Sequence, residues 1–172
     1  KATNVERRQL AETGILRSAF LLRDDIETIH AATDLLAEAK LSPELRNEAL
    51  YYRAKAYTKQ KADKKAMEDY RELAKDTRNP YGAEAKYQVA QSLYDAKEYA
   101  AAEKELLNYI EQSTPHAYWL ARSFILLSDV YHATGKDLDA RQYLLSLQQN
   151  YQGNDDIESM IESRLSKLKV EN

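Results

Sequence analysis

The sequence predicts an all-α fold: an α-solenoid of about four helical hairpins, closed by a C-terminal capping helix and wound as a right-handed superhelix. Three observations predict it. Each of the three prolines follows a residue suited to cap a helix, in Ser42-Pro43, Asn79-Pro80 and Thr114-Pro115, and the prolines stand 37 and 35 residues apart. Between them, apolar residues recur at steps of three and four, the signature of amphipathic helices. Glycine and proline are scarce, 4 and 3 in 172 residues, and no run alternates with period two. That leaves little material for the tight turns of a sandwich or barrel. A recurrence near 35 residues indicates a repeat array in which each unit buries its apolar face on its neighbour.

Each element follows from local signals. Ser, Asn and Thr side chains accept a hydrogen bond from an orphan amide at a helix start, and proline is tolerated at the next position. The first hairpin, about 5–39, carries Leu10, Ile15, Leu16, Ala19 and Phe20, turns at Arg23-Asp24-Asp25, and continues with Ile26, Ile29, Leu35 and Leu36. The second, about 43–75, has Leu45, Ala49, Tyr52, Ala56 and Tyr57 before a lysine-rich turn, then Ala66, Tyr70, Leu73 and Ala74. The third, about 80–112, has Ala83, Tyr87, Ala90 and Leu93, a turn at Ala96-Lys97-Glu98, then Ala102, Leu106, Leu107 and Ile110. The fourth, about 115–150, has Leu120, Phe124, Leu127 and Tyr131, a break at Gly135, then Ala140, Leu144, Leu145 and Leu147. Ile157, Met160, Ile161, Leu165 and Leu168 form the capping helix, about 155–169, with Asp155, Asp156 and Glu158 complementing its N-terminal dipole. The linkers are short, so 1–172 reads as a single domain. Its polar start without an initiator methionine reads as a piece of a longer chain.

Composition excludes several functions. The chain has 25 Lys+Arg against 28 Asp+Glu, a net charge of -3, which argues against a nucleic-acid-binding domain. Mean hydropathy is -0.70, and no run approaches the roughly 20 apolar residues of a membrane span. Cysteine is absent, and His30, His116 and His132 show no metal-ligand spacing. Gly14, Gly82, Gly135 and Gly153 are too far apart for a phosphate-cradling loop, and no serine lies in a G-x-S-x-G motif. No catalytic residue, metal or cofactor is therefore expected, and the chain does not read as an enzyme.

The repeats resemble the tetratricopeptide repeat (TPR), whose pattern runs W-x2-L-G-x2-Y, then A-x3-F, then P. The best match is Phe124-x2-Leu127-Ser128-x2-Tyr131 followed by Ala140-x3-Leu144. Lys86-x2-Val89-Ala90-x2-Leu93 with Ala102-x3-Leu106 is the middle repeat, and Leu50-x2-Arg53-Ala54-x2-Tyr57 with Ala66-x3-Tyr70 the earlier one. The small residues Ala54, Ala90 and Ser128, and Ala66, Ala102 and Ala140, let paired helices approach closely. Lys86 stands where a large aromatic is usual, and Arg53 where leucine is usual. The stretch from Tyr118 to Ile157 also looks like the end of large multi-repeat TPR proteins of Gram-negative bacteria, which implies a periplasmic or cell-envelope location.

The resemblance implies a non-catalytic scaffold that binds a peptide or partner subunit in a concave groove lined by the first helices. The core stripe of those helices contains Leu50, Ala54, Tyr57, Ala90, Leu93, Leu127 and Tyr131. An offset stripe then lines the groove: Glu48, Tyr51, Lys55 and Thr58; Glu84, Tyr87, Gln91 and Tyr94; Arg122, Ile125, Asp129 and His132. The partner-binding candidates are Tyr51, Lys55, Tyr87, Gln91, Tyr94, Arg122, Asp129 and His132, since tyrosine and arginine are enriched at interface hot spots. The alternative is a small-molecule or glycan-binding module, with Trp119 and clustered tyrosines stacking on a sugar in a closed pocket, or a structural spacer. The basic cluster Arg53, Lys55, Lys59, Lys61, Lys64 and Lys65 reads as a solvated hairpin tip. Leu10, Ile15, Leu16 and Phe20 on the first helix offer a surface for homo-oligomerisation.

Overall fold

The computed structural model describes residues 3–112 and 114–168. The described residues form helices and no strand: α1 (Asn4–Leu21), α2 (Asp25–Leu36), α3 (Pro43–Lys59), α4 (Asp63–Leu73), α5 (Pro80–Asp95), α6 (Tyr99–Glu111), α7 (Ala117–Ala133), α8 (Asp137–Asn150) and α9 (Ile157–Lys167). The predicted end of the capping helix at about 169 lies outside the described residues. No described helix is long and apolar enough to cross a membrane. The architecture is an all-α, TPR-like solenoid of helical hairpins.

The chain divides into two compact units, Lys1–Lys75 and Asp76–Asn172. In the first, α1 packs on α2, α2 on α3 and α3 on α4, and α1 also meets α3. Its core joins Leu16, Ala31, Ala32, Leu35 and Ala49. In the second, α5 packs on α6, α6 on α7 and α7 on α8, with α5 also meeting α7 and α9 resting on both α7 and α8. Its core runs from Ala90, Leu106 and Ile125 through Leu127 and Leu144 to Ile157 and Ile161. The small residues lie where helices converge. Ala54, Ala102 and Ala140 have no exposed surface, and the Ser128 hydroxyl donates to the Ala140 carbonyl at 2.9 Å, which ties α7 directly to the backbone of α8.

The hairpin turns share one backbone device. Arg23, Lys61, Lys97 and Gly135 have positive φ (59, 56, 61 and 77°) and recur at 38, 36 and 38 residues. At each, the next residue's amide reaches back to the helix: Asp24 to Ala19, Ala62 to Tyr57, Glu98 to Leu93 and Lys136 to Tyr131, at 2.8–2.9 Å. This is the Schellman closure, which satisfies orphan carbonyls and normally favours glycine. Only the fourth turn has it.

Two helix starts follow the expected cap. Ser42 accepts from the Leu45 amide at 3.2 Å and Asn79 from the Gly82 amide at 2.8 Å. The third start is a correction: α7 begins at Ala117, with His116 at the cap, rather than at Thr114-Pro115. The Thr114 hydroxyl is engaged elsewhere, donating to the Thr77 carbonyl at 3.1 Å and accepting from the His116 amide at 3.3 Å. These bonds hold the loop before α7 in a turn. Thr3 and Glu6 form a capping box at α1.

The two departures from the repeat pattern are answered inside their hairpins. Arg53 of α3 donates from Nε and Nη2 to the two oxygens of Asp69 on α4, at 2.8 and 2.7 Å. This hydrogen bonding raises the guanidinium pKa, against the lowering effect of burial. Lys86 of α5 pairs with Glu105 of α6 at 2.7 Å. Each cation takes the place of an apolar contact between the two helices of a hairpin.

Candidate functional site

In the second unit the first-helix positions converge on α9. Asp129 on α7 accepts two hydrogen bonds from Arg164 on α9, at 2.7 and 2.8 Å. Around this pair, Gln91 and Tyr94 of α5, Asp129 and His132 of α7, and Arg164 and Lys167 of α9 line a cavity of about 470 Å³. The lining is mixed in charge. Burial first, and the Asp129 carboxylate after it, push the Tyr94 phenol pKa up, so Tyr94 stays neutral at physiological pH and presents a hydroxyl. His132 is exposed and its Nδ1 lies 2.8 Å from Asp137. Gln91 is oriented by accepting from the Tyr87 hydroxyl at 2.8 Å and donating to Asp95 at 2.9 Å.

Next to this cavity lies an aromatic cluster around Arg122. The guanidinium donates to the Tyr118 hydroxyl at 3.0 Å and the Tyr87 hydroxyl at 3.1 Å, and sits over the Tyr87 ring, 5.0 Å from its centroid. Trp119 meets Tyr87 at 5.5 Å and Tyr118 edge-on at 5.1 Å. The Asp156 carboxylate stands 3.6 Å from Arg122, beyond a good hydrogen bond. Burial works to lower the Arg122 pKa, and the two phenol oxygens more than offset it.

The predicted stripe is therefore split. Gln91, Tyr94, Asp129 and His132 share one cavity, while Arg122 anchors the adjacent cluster. Tyr87 is a correction: expected to face a partner, it is 5% exposed, because α7 lays Trp119 and Arg122 over it. Ile125, Glu48 and Glu84 of the same stripe are likewise buried. Glu48 is held by Arg17 of α1 through bonds of 2.7 and 2.8 Å. In the first unit Tyr51 and Lys55 are half-buried, with the Lys55 ammonium 5.2 Å from the Tyr51 ring centroid. The basic cluster there resolves into separate partnerships: Arg53 with Asp69, Lys59 with Asp25 at 3.4 Å, and Lys65 over Tyr57.

The sequence reading missed Arg164, Lys167 and Tyr118. A usable signal was present. Tyr87 bonds Arg122 and Asp129 bonds Arg164, each across 35 residues, and Tyr94 precedes Asp129 by the same step. Extending that period past α7 points to Arg164 and makes α9 the next first helix of the stack.

No protein-family model matches the chain, and no curated protein matches it. Among solved structures, that of PilF from Pseudomonas aeruginosa is similar, with a TM-score of 0.63 and 20% identity over 96% of this chain and 71% of that one. At that identity the likeness bears on the fold.

Proposed function

We propose that this chain is a non-catalytic interaction scaffold that holds a segment of a partner protein against α5, α7 and α9 of the second unit. The observation that carries the reading is the cavity formed by Gln91, Tyr94, Asp129, His132, Arg164 and Lys167, about 470 Å³ in volume. That size accommodates a few side chains of a bound segment. Its lining offers donors and acceptors of both signs, which suits a peptide with mixed side chains. Beside it, Tyr118, Trp119 and Arg122 supply the three residue types most enriched at binding hot spots. The peptide reading is favoured over a sugar or small-molecule site because Trp119 is turned edge-on into Tyr118 and does not line the cavity.

Peptides selected from a random display library on the immobilised chain provide the ligand for a test. The affinity of a selected peptide is read by fluorescence anisotropy for wild type and for Tyr94→Ala with His132→Ala. The expected result is a loss of about tenfold or more, equal to about 1.4 kcal/mol, with the thermal midpoint little changed. Equal affinity for the double variant would remove the cavity from the proposal.

A further inference from the structure

We propose that the outer face of α1 is a self-association surface on which a second copy of this chain packs antiparallel, about a two-fold axis near Gly14. Among the described residues, the large apolar side chains that stay exposed are concentrated in the first hairpin: Val5, Leu10, Ile15, Leu21, Leu22 and Ile26, against Leu138 alone elsewhere. At 100° per residue, Leu10, Leu21, Gly14, Ser18, Ala11, Leu22 and Ile15 sweep a continuous sector of about 140° on α1. The groove along it, lined by Ala11, Gly14, Ile15, Ser18, Leu22 and Glu27 among others, measures about 440 Å³.

The repeat itself marks this sector as an interface. Aligned on the positive-φ turn residues, Ala11, Ile15 and Ser18 of α1 correspond to Ser123, Leu127 and Val130 of α7, which are at most 1% exposed. Ala11 and Ser18 likewise correspond to Ala49 and Ala56 of α3, also at most 1% exposed. Ala49 belongs to the core that α1 and α2 share with α3. In α1 the same positions are uncovered by any described element.

Charge selects a second copy as the occupant. Within the first unit Arg8 already pairs with Glu38, the Asp24 carboxylate caps α2 and Asp25 meets Lys59. The self-complementary charges are therefore Arg7 near the N-terminal end of α1 and Glu27, which lines the groove at the turn end. Arg7 lies on the apolar sector, seven residues or about 10 Å from Gly14, and Leu21 lies equally far on the other side. A two-fold at Gly14 therefore brings Arg7 of each copy to the turn end of the other, where Glu27 lines the groove with Leu22, and the contact is self-complementary. The small side chains at the crossing allow the two helices to approach closely. This surface is separate from the cavity of the second unit and does not depend on its reading.

Sedimentation velocity over a concentration series tests it. The wild-type chain is expected to rise reversibly from its 19.8 kDa monomer toward twice that mass. Gly14→Glu is a clean probe, because a Cβ at Gly14 meets nothing within 4 Å and glutamate is the better helix former. Its circular dichroism should match wild type while the dimer disappears. Arg7→Glu should weaken association about tenfold, and adding Glu27→Arg should restore it. A wild-type chain that stays monomeric to about 1 mM, a dimer that survives Gly14→Glu, or a charge swap that fails to restore association would each overturn the proposal.

Discussion

Replacing Arg53 by alanine would isolate a charge inside the second hairpin. Its guanidinium makes two short bonds to Asp69, at 2.8 and 2.7 Å, and a third to the Thr33 hydroxyl at 3.2 Å. Asp69 is 4% exposed, so without Arg53 its carboxylate is left in the interior without its ion-pair partner. Removing one member of a buried ion pair costs about 3–5 kcal/mol, several times the value of a surface pair. The lower end, about 3 kcal/mol, applies here, because 19% of the Arg53 side chain is exposed and water can follow it into the gap. Replacing both residues, Arg53→Leu with Asp69→Leu, leaves no charge to strand and should cost less than about 1 kcal/mol. Urea unfolding followed by far-ultraviolet circular dichroism measures both variants. A loss below about 1 kcal/mol for Arg53→Ala, the figure for an exposed pair, would refute the reasoning. So would a double variant as unstable as the single one.

Further outcomes follow from the turns and from a shifted tyrosine. Lys97 holds φ 61°, a conformation that costs an ordinary residue about 1–2 kcal/mol and glycine almost nothing. After the entropy that glycine adds to the unfolded chain, Lys97→Gly should stabilise by about 0.5–1 kcal/mol in urea titration, and a net loss would contradict the strain argument. Burial, and then the hydrogen bond to Asp155, push the Tyr151 pKa up from 10.0 to about 12. A folded-state pKa above the unfolded one gives stability that is present below pH 10 and lost as pH rises through 12. Tyr151→Phe does not titrate, so the stability gap between wild type and variant should narrow over that window. Thermal midpoints measured from pH 9 to 12 check this, and a constant gap would count against it.

The hairpins were legible because their causes are short-ranged. The caps at Ser42 and Asn79 each reach an amide three residues on, and the turn closures at Arg23, Lys61, Lys97 and Gly135 span five. Apolar spacing along one helix needs no knowledge of its neighbours. Thr114 carries the same local cap signal, yet its hydroxyl bonds a carbonyl 37 residues earlier, and that competing partner is invisible in a window of ten.

The candidate stripe was only half legible for a related reason. Period alone marks two stripes on a first helix, and crossing geometry decides which one solvent reaches. Tyr87 and Tyr94 occupy equivalent places on the same stripe of α5. Trp119 and Arg122 close over the first, while the second opens on a cavity that α9 completes with Arg164. Arg53 and Lys86 look like flaws in a repeat until their carboxylates arrive from the returning helix, 16 and 19 residues later. The sequence by itself determined helices, turns and repeat length, since these depend on hydrogen bonds and spacings within about five residues. Only the tertiary structure decided which side chains remain available to a partner, since that depends on bulk and charge delivered from helices distant in the chain.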